Sequence, residues 1–327
     1  MSKQKPKGSI VYFCIILLLV LVMIFSGLQI LESTIFHTGQ ESGRPTASKT
    51  IVRDGIEYFP RQDITVMMVL GIDKTGPVEA SGSYNNSGLA DVISLLIFDE
   101  TNQNCRILQL NRDTMLNVRV LGLGGRYAGT RYGQLALSHM YGSGLEDSCE
   151  NTRETVSQFL YGLHIDYYLS MNMDAISVMT DAVGGVQVEV KDDFSAVDPT
   201  IQMGLQLLNG QQAINFVRTR KDVADQMNVT RMQRHREFMN GLLEGLRAKL
   251  DTEDGFALKT YDSVSPYVVT DCSGSVISAI ADRYGDYPLV EIVSPEGENK
   301  MGDQYMEYYV DEEKLDELIL RLFYAPK

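Results

Sequence analysis

Two runs of this sequence, ITVMMVLGI (Ile64–Ile72) and VISLLIF (Val92–Phe98), are apolar almost without interruption. A strand with one wet face alternates apolar and polar residues, whereas an unbroken run belongs to a strand covered on both faces. Cys105–Leu110 alternates weakly and reads as a third strand, with others predicted at Asp166–Met171, Gln187–Val190, Leu289–Val293 and Met306–Val310. Helical patterns lie between them, at Gln134–Tyr141, Glu146–Tyr161, Met173–Val183, Gly210–Phe216, Thr230–Leu250, Phe256–Val264, Ser275–Tyr284 and Asp311–Phe323. Gly184-Gly185 supplies a helix stop. Buried strands interleaved with helices predict an α/β fold, one α-β-α layered domain around a central mixed sheet.

A different kind of run precedes it. Ile10 to Leu31 carries no charged residue, and Lys3, Lys5 and Lys7 stand before it. At ~1.5 Å per residue such a run crosses a hydrocarbon core of ~30 Å as a helix. It is longer than the core of a cleaved signal and lacks a small-residue cleavage site. The expected layout is a cytoplasmic tail (1–8), one transmembrane helix (9–31) and a stalk (32–62). Polar Thr38–Lys49 lies in that stalk, with a possible hairpin turning at Asp54-Gly55. Flanking lysines put the N-terminus in the cytoplasm and the main domain outside the cell membrane.

The formal charge is −14, and the outer part is more acidic still once the three leading lysines are set aside. Such a surface repels nucleic acid, so any anion must be met by a local basic cluster. Cysteine spacing matches no zinc pattern, and whether Cys149 and Cys272 meet is left open. Neither a G-x-S-x-G elbow, a P-loop nor an H-E-x-x-H is present.

The basic cluster is FVRTRK with TRMQRHR. Arg231 and Arg234 are three apart on one predicted helix and point the same way; Arg218 and Arg220 share a face if their stretch is extended. Forked donors concentrated in an acidic domain suit bidentate phosphate recognition; Lys221 and Arg236 read as solvated neighbours. Asp73 ends the first buried strand and Asp91 begins the second, so both carboxylates meet at one sheet edge if residues 74–90 fold back. There they suit Mg²⁺ (or Mn²⁺), which takes few protein oxygens and completes its shell with water and phosphate. The third strand runs into Arg112-Asp113, an abrupt switch from apolar to charged. His139, before the Gly142-Ser143-Gly144 turn, reads first as a satisfied core histidine.

In their order, VMMVLGID, ADVISLLIFD, ILQLNRDTM, LSHMYGSG, LNGQQAINFVRTRK and RMQRHREFMNGLL resemble the LytR–CpsA–Psr family over residues 63–250, leaving 251–327 as an extension packed on the same domain. The resemblance implies a transferase of the Gram-positive envelope. It moves a glycopolymer, as its phosphosugar, from undecaprenyl pyrophosphate to peptidoglycan, and the lipid tail needs an apolar slot between sheet and helices. It makes Asp73 and Asp91 metal carboxylates, Arg112, Arg218, Arg220, Arg231 and Arg234 pyrophosphate ligands, and Arg112 with Asp113 catalytic candidates; His139 and His235 are auxiliary ones. The chain departs from the family pattern at Leu89-Ala90, where Arg-Ser is usual, at Asn111 for Pro and at His235 for Gln. Arg126 or Arg131 is the expected substitute for the missing arginine. These departures support a second reading, a non-catalytic binder of prenyl pyrophosphate or polyanionic wall polymer.

Overall fold

The computed structural model describes residues 50–327 apart from 87, 220–222, 224–227, 254 and 286, and does not include the side chain of Arg231. The tail, the expected transmembrane run and most of the stalk therefore lie outside the described residues, as do Arg220 and Lys221. Among the described residues no helix is long and apolar enough to cross a membrane.

The chain opens with the expected hairpin, β1 (Ile51–Arg53) and β2 (Ile56–Pro60). Its turn has positive φ at both Asp54 (53°) and Gly55 (78°), the conformation that matches strand twist in a two-residue loop. Then come β3 (Ile64–Ile72), β4 (Ala90–Asp99) and β5 (Asn104–Leu110), the three sheet strands read first from the sequence. A second hairpin, β6 (Met115–Leu121) with β7 (Tyr127–Gln134), leads to α1 (Leu137–Met140) and α2 (Glu146–Phe159). The helix expected over Gln134–Tyr141 is thus a strand end plus one short turn. Leu135 and Ala136 donate their backbone N–H to Thr114 and Arg112 carbonyls rather than to a helix.

Next are β8 (Tyr167–Asn172), α3 (Met173–Ala182), the ribbon β9 (Val186–Val190) and β10 (Gly204–Leu208), α4 (Gly210–Arg218) and the long α5 (Asn228–Thr252). The last third holds α6 (Phe256–Val264), β11 (Val268–Thr270), α7 (Gly274–Tyr284), β12 (Leu289–Val293), a hairpin of β13 (Gly297–Met301) and β14 (Met306–Val310), α8 (Glu312–Phe323) and β15 (Tyr324–Pro326).

The central sheet has the order β11-β8-β3-β4-β5-β12 and is mixed, with β3–β8 and β5–β12 parallel and the rest antiparallel. Each face carries its own apolar core. Met67, Leu96 and Leu169 pack with Phe216, Phe238 and Leu242 from α4 and α5. Met68, Ile72 and Leu95 pack on the other face with Val156 from α2 and Ile319 from α8. This is the α-β-α layering that unbroken apolar strands require. Residues 251–327 do more than pack against it: β11 and β12 form both edges of the central sheet.

Candidate functional site

The C-terminal ends of β3, β5, β8 and β12 and the start of β4 lie along one edge of the sheet. Asp73, Asp91 and Arg112 lie there because β3 and β5 run on into charged residues and β4 starts beside one. Asp73 follows β3 and donates its backbone N–H to Leu89 O (2.9 Å), so residues 74–89 do fold back. The β3–β4 register slips between Gly71 and Ile72, which pair with Val92 and Ala90. Asp91 is the extra residue of that bulge, a device that re-aims a side chain.

Asp73 Oδ1 takes Arg218 Nε at 2.8 Å, from the last turn of α4. Both side chains are partly open to solvent, so the pair is weak and accessible. Asp91 is ion-paired with Arg112 Nη1, both largely buried. Arg112 Nε lies 3.4 Å from Asp113 Oδ1. Asp113 itself has no exposed surface: Gln134 Nε2 donates to Oδ1 (2.9 Å), and its backbone O accepts from Tyr308 N in β14 (2.9 Å). The buried carboxylate thus stands against the Arg112 guanidinium and the Gln134 amide.

Arg234 is turned away from this cluster. Nη1 meets Asp192 at 3.0 Å, Nη2 donates to Thr219 O, and the guanidinium lies over the Phe194 ring at 5.4 Å. His235 is buried and its Nε2–H donates to Val217 O (2.8 Å). Both side chains tie α5 to the chain around α4, where Arg218 sits. Among the described residues, Arg126 and Arg131, beside and on β7, make no ion pair with Asp73 or Asp91, whereas Arg218 and Arg112 do.

One residue set aside as solvated belongs here. Arg236 Nε donates to the buried Gln109 Oε1 (3.0 Å) and Nη2 reaches Ser294 Oγ at 3.5 Å. Burial alone pushes its pKa down, and among the described residues no carboxylate neutralises it. A part-buried cation without a counter-ion is a standing demand for an anion. No sequence signal distinguishes it from its neighbours, because Gln109 and Ser294 arrive from β5 and the end of β12.

Arg236 stands at the mouth of two openings. One is an apolar slot of about 140 Å³ between the sheet and the helices α3 and α5. Val69, Leu96, Met179, Phe238 and Leu242 line its depth; Asp91 and His235 also border it. The other is a wider cleft of about 520 Å³, with Tyr308, Tyr309 and Glu298 in its wall.

An apolar slot meeting guanidinium and carboxylate groups at the edge of this sheet agrees with the family read from the motifs, and the LytR_cpsA_psr family model matches residues 31–323. The chain belongs to that family. The match runs well past Leu250, so the last third is family sequence rather than an extension. Among curated relatives, a polyisoprenyl-teichoic acid–peptidoglycan teichoic acid transferase TagT of Bacillus subtilis is 26% identical over 196 residues, 58% of this chain and 54% of that protein. The corresponding TagU of Halalkalibacterium halodurans is 27% identical, covering 58% and 57%. The chain thus spans little more than half the length of these relatives. Among solved structures, protein gbs0355 of Streptococcus agalactiae superposes with a TM-score of 0.63 at 21% identity, covering 80% of this chain and 86% of that one. TagT bound to LI-WTA gives 0.60 at 21%, covering 88% and 98%. These likenesses establish the mixed α/β fold of the family.

Proposed function

We propose that this protein transfers a glycopolymer, as its phosphosugar, from a polyisoprenyl pyrophosphate to a hydroxyl of peptidoglycan at the outer face of a Gram-positive cell membrane. What carries the reading is the apolar slot that ends at an unneutralised Arg236, beside the Asp91–Arg112 pair. A long hydrocarbon tail with a doubly charged head is the ligand chemistry that satisfies both ends. The relatives named as teichoic acid transferases support the same reading, to which the single membrane span expected from the uncharged run Ile10–Leu31 is joined as a further proposal.

In the reaction the acceptor hydroxyl oxygen attacks the phosphorus that bears the sugar. The new P–O bond replaces the bond to the bridging oxygen, which leaves with its electron pair as polyisoprenyl phosphate, and the hydroxyl proton passes to solvent or a nearby carboxylate. Arg112, Arg218 and Arg236 hold the diphosphate oxygens, with Arg220 and Arg231 proposed to join them. Arg112 is the catalytic group of this set and Asp113 its positioning residue. Arg234 and His235 keep α4 and α5 in register. The work is positioning and charge neutralisation, as in other phosphoryl transfers.

Asp73 and Asp91 are hard oxygen donors suited to Mg²⁺ or Mn²⁺. Among the described residues no group of three His, Cys, Asp or Glu side chains forms, so an ion held by these two carboxylates would take its other ligands from water and phosphate. When bound, such an ion supplies charge neutralisation at the phosphoryl oxygens.

The non-catalytic reading gains weight from one observation: Arg112 and Arg218 already rest on carboxylates. The full chain in nanodiscs, given a polyisoprenyl-pyrophosphate-linked glycan, peptidoglycan and Mg²⁺, is expected to attach the glycan covalently. Retention of the lipid without attachment identifies a holder instead.

A further inference from the structure

On the opposite face of the same sheet edge lies a polar cavity of about 280 Å³, lined by Lys74, Glu79, Ala80, Ser81, His139 and Ser170 among others. Strand alternation explains its place. At the end of β3, Gly71 lines the slot and Asp73 meets Arg218, whereas Ile72 and Lys74 turn to the other face. Asn172, which ends β8, borders both cavities. The two openings therefore converge on a single strand end.

His139 is only 2% exposed. Its Nδ1 lies 3.0 Å from Gly88 O, a carbonyl that can only accept, so Nδ1 carries the hydrogen. Burial pushes the ring's pKa down to about 4, keeping it neutral and leaving a lone pair on Nε2. Among the described residues, nothing hydrogen-bonds to that nitrogen. Lys74, close enough to act on the ring's charge, has no carboxylate partner among them either. The loop above is firmly built: Asn86 Nδ2 donates to His139 O (2.8 Å), Gly142 O (3.0 Å) and Ser148 Oγ (3.0 Å). Besides Glu79 and the serine hydroxyls in its lining, the cavity thus offers a buried ring acceptor and an ammonium without a carboxylate partner among the described residues. The first wants an O–H or N–H donor, which a fully ionised phosphate lacks; the second wants an oxygen.

We propose that this cavity is the subsite for a sugar of the acceptor glycan, with a sugar hydroxyl donating to His139 Nε2 and Lys74 donating to an acyl or carboxylate oxygen of the same sugar. Donor and acceptor then approach the strand end at Asp73 from opposite faces of the sheet. The proposal rests on the transferase reading for the word acceptor, but the sugar site itself is separable from it.

The test uses the full chain in nanodiscs, carrying ¹⁵N-labelled histidine, and the disaccharide of N-acetylglucosamine and N-acetylmuramic acid as probe. His139→Gln assigns the resonance. The expected result is a saturable shift of the His139 Nε2 signal. Ala80→Trp, which fills the cavity from its rim and leaves His139 in place, should remove that shift. It should also raise the KM for acceptor about tenfold, the loss of one hydrogen-bonded subsite, with polyisoprenyl-pyrophosphate affinity unchanged. An unmoved Nε2 signal, or an Ala80→Trp chain with the wild-type acceptor KM, overturns the proposal. A shift without transfer by the wild-type chain keeps the sugar site and removes the transferase reading.

Discussion

Filling the apolar slot should stabilise this protein and disable it at once. Val92, Ser94 and Leu96 of β4 all line the slot, and Ser94 is the smallest side chain among them. The slot holds about 140 Å³. At ~24 cal/mol per Å³, a void of that size forgoes roughly 3 kcal/mol. Ser94→Leu occupies about half of it, a gain of ~1–2 kcal/mol after the cost of fixing the new side chain. For a domain of this size that is about 2–4 °C in Tm per kcal/mol. The same leucine displaces the methylenes of a bound isoprenoid, each contributing ~0.8 kcal/mol, so two of them lost weaken binding about tenfold or more. Calorimetric melting gives the first quantity and titration with a long-chain polyisoprenyl pyrophosphate the second; inorganic pyrophosphate, which has no tail, should bind both chains alike. A Ser94→Leu chain that melts below wild type, or binds the long-chain ligand as tightly, refutes the slot as a tail site.

Arg236→Met keeps the side-chain bulk and removes the unneutralised charge; lipid-pyrophosphate affinity should fall about tenfold to a hundredfold, by the same titration, with Tm held or raised. Asp113→Asn keeps an acceptor for Gln134 but loosens Arg112: kcat should fall while the donor Kd moves little, since Asp91 still pairs with that guanidinium, and a loss confined to KM would count against positioning. His139 is held neutral by burial at a pKa of about 4, below the ordinary 6.5, so the unfolded chain binds more protons between those values. Stability should therefore rise with pH from about 4 to 6.5, by up to roughly 3 kcal/mol, and flatten above; denaturant melts of wild type and His139→Gln measure it, and equal slopes would exclude His139 as the cause.

The parts of the fold legible in the sequence are those whose pattern is set by their own burial. β3 needed no neighbour to be read, because both of its faces are covered; β12, β14 and α6 likewise begin and end where their patterns do. The β6–β7 hairpin was not legible: Tyr127–Gln134 is largely exposed and carries two glycines, so no apolar period marks it. At the site, strand ends fixed where Asp73, Asp91 and Arg112 gather. The burial of Asp113 was hidden because its cover comes from β14, and the standing of Arg236 because Gln109 is 127 residues away. Such facts depend on contacts made at a distance along the chain, which local pattern does not encode.

The base of the domain has a consequence for the whole protein. β15 pairs with β2, Tyr324 opposite Pro60, so the chain's entry and its last strand are clasped together before β3 begins. From there β3 runs the length of the sheet to Asp73, nine residues and about 30 Å at ~3.3 Å each. Entry and ligand edge are opposite poles. With the span proposed for residues 9–31, a lipid head at the bilayer meets the site only if the ligand edge, not the entry pole, is turned toward the membrane. The ~30 Å between the poles is therefore the distance that separates the proposed membrane attachment from the proposed reaction.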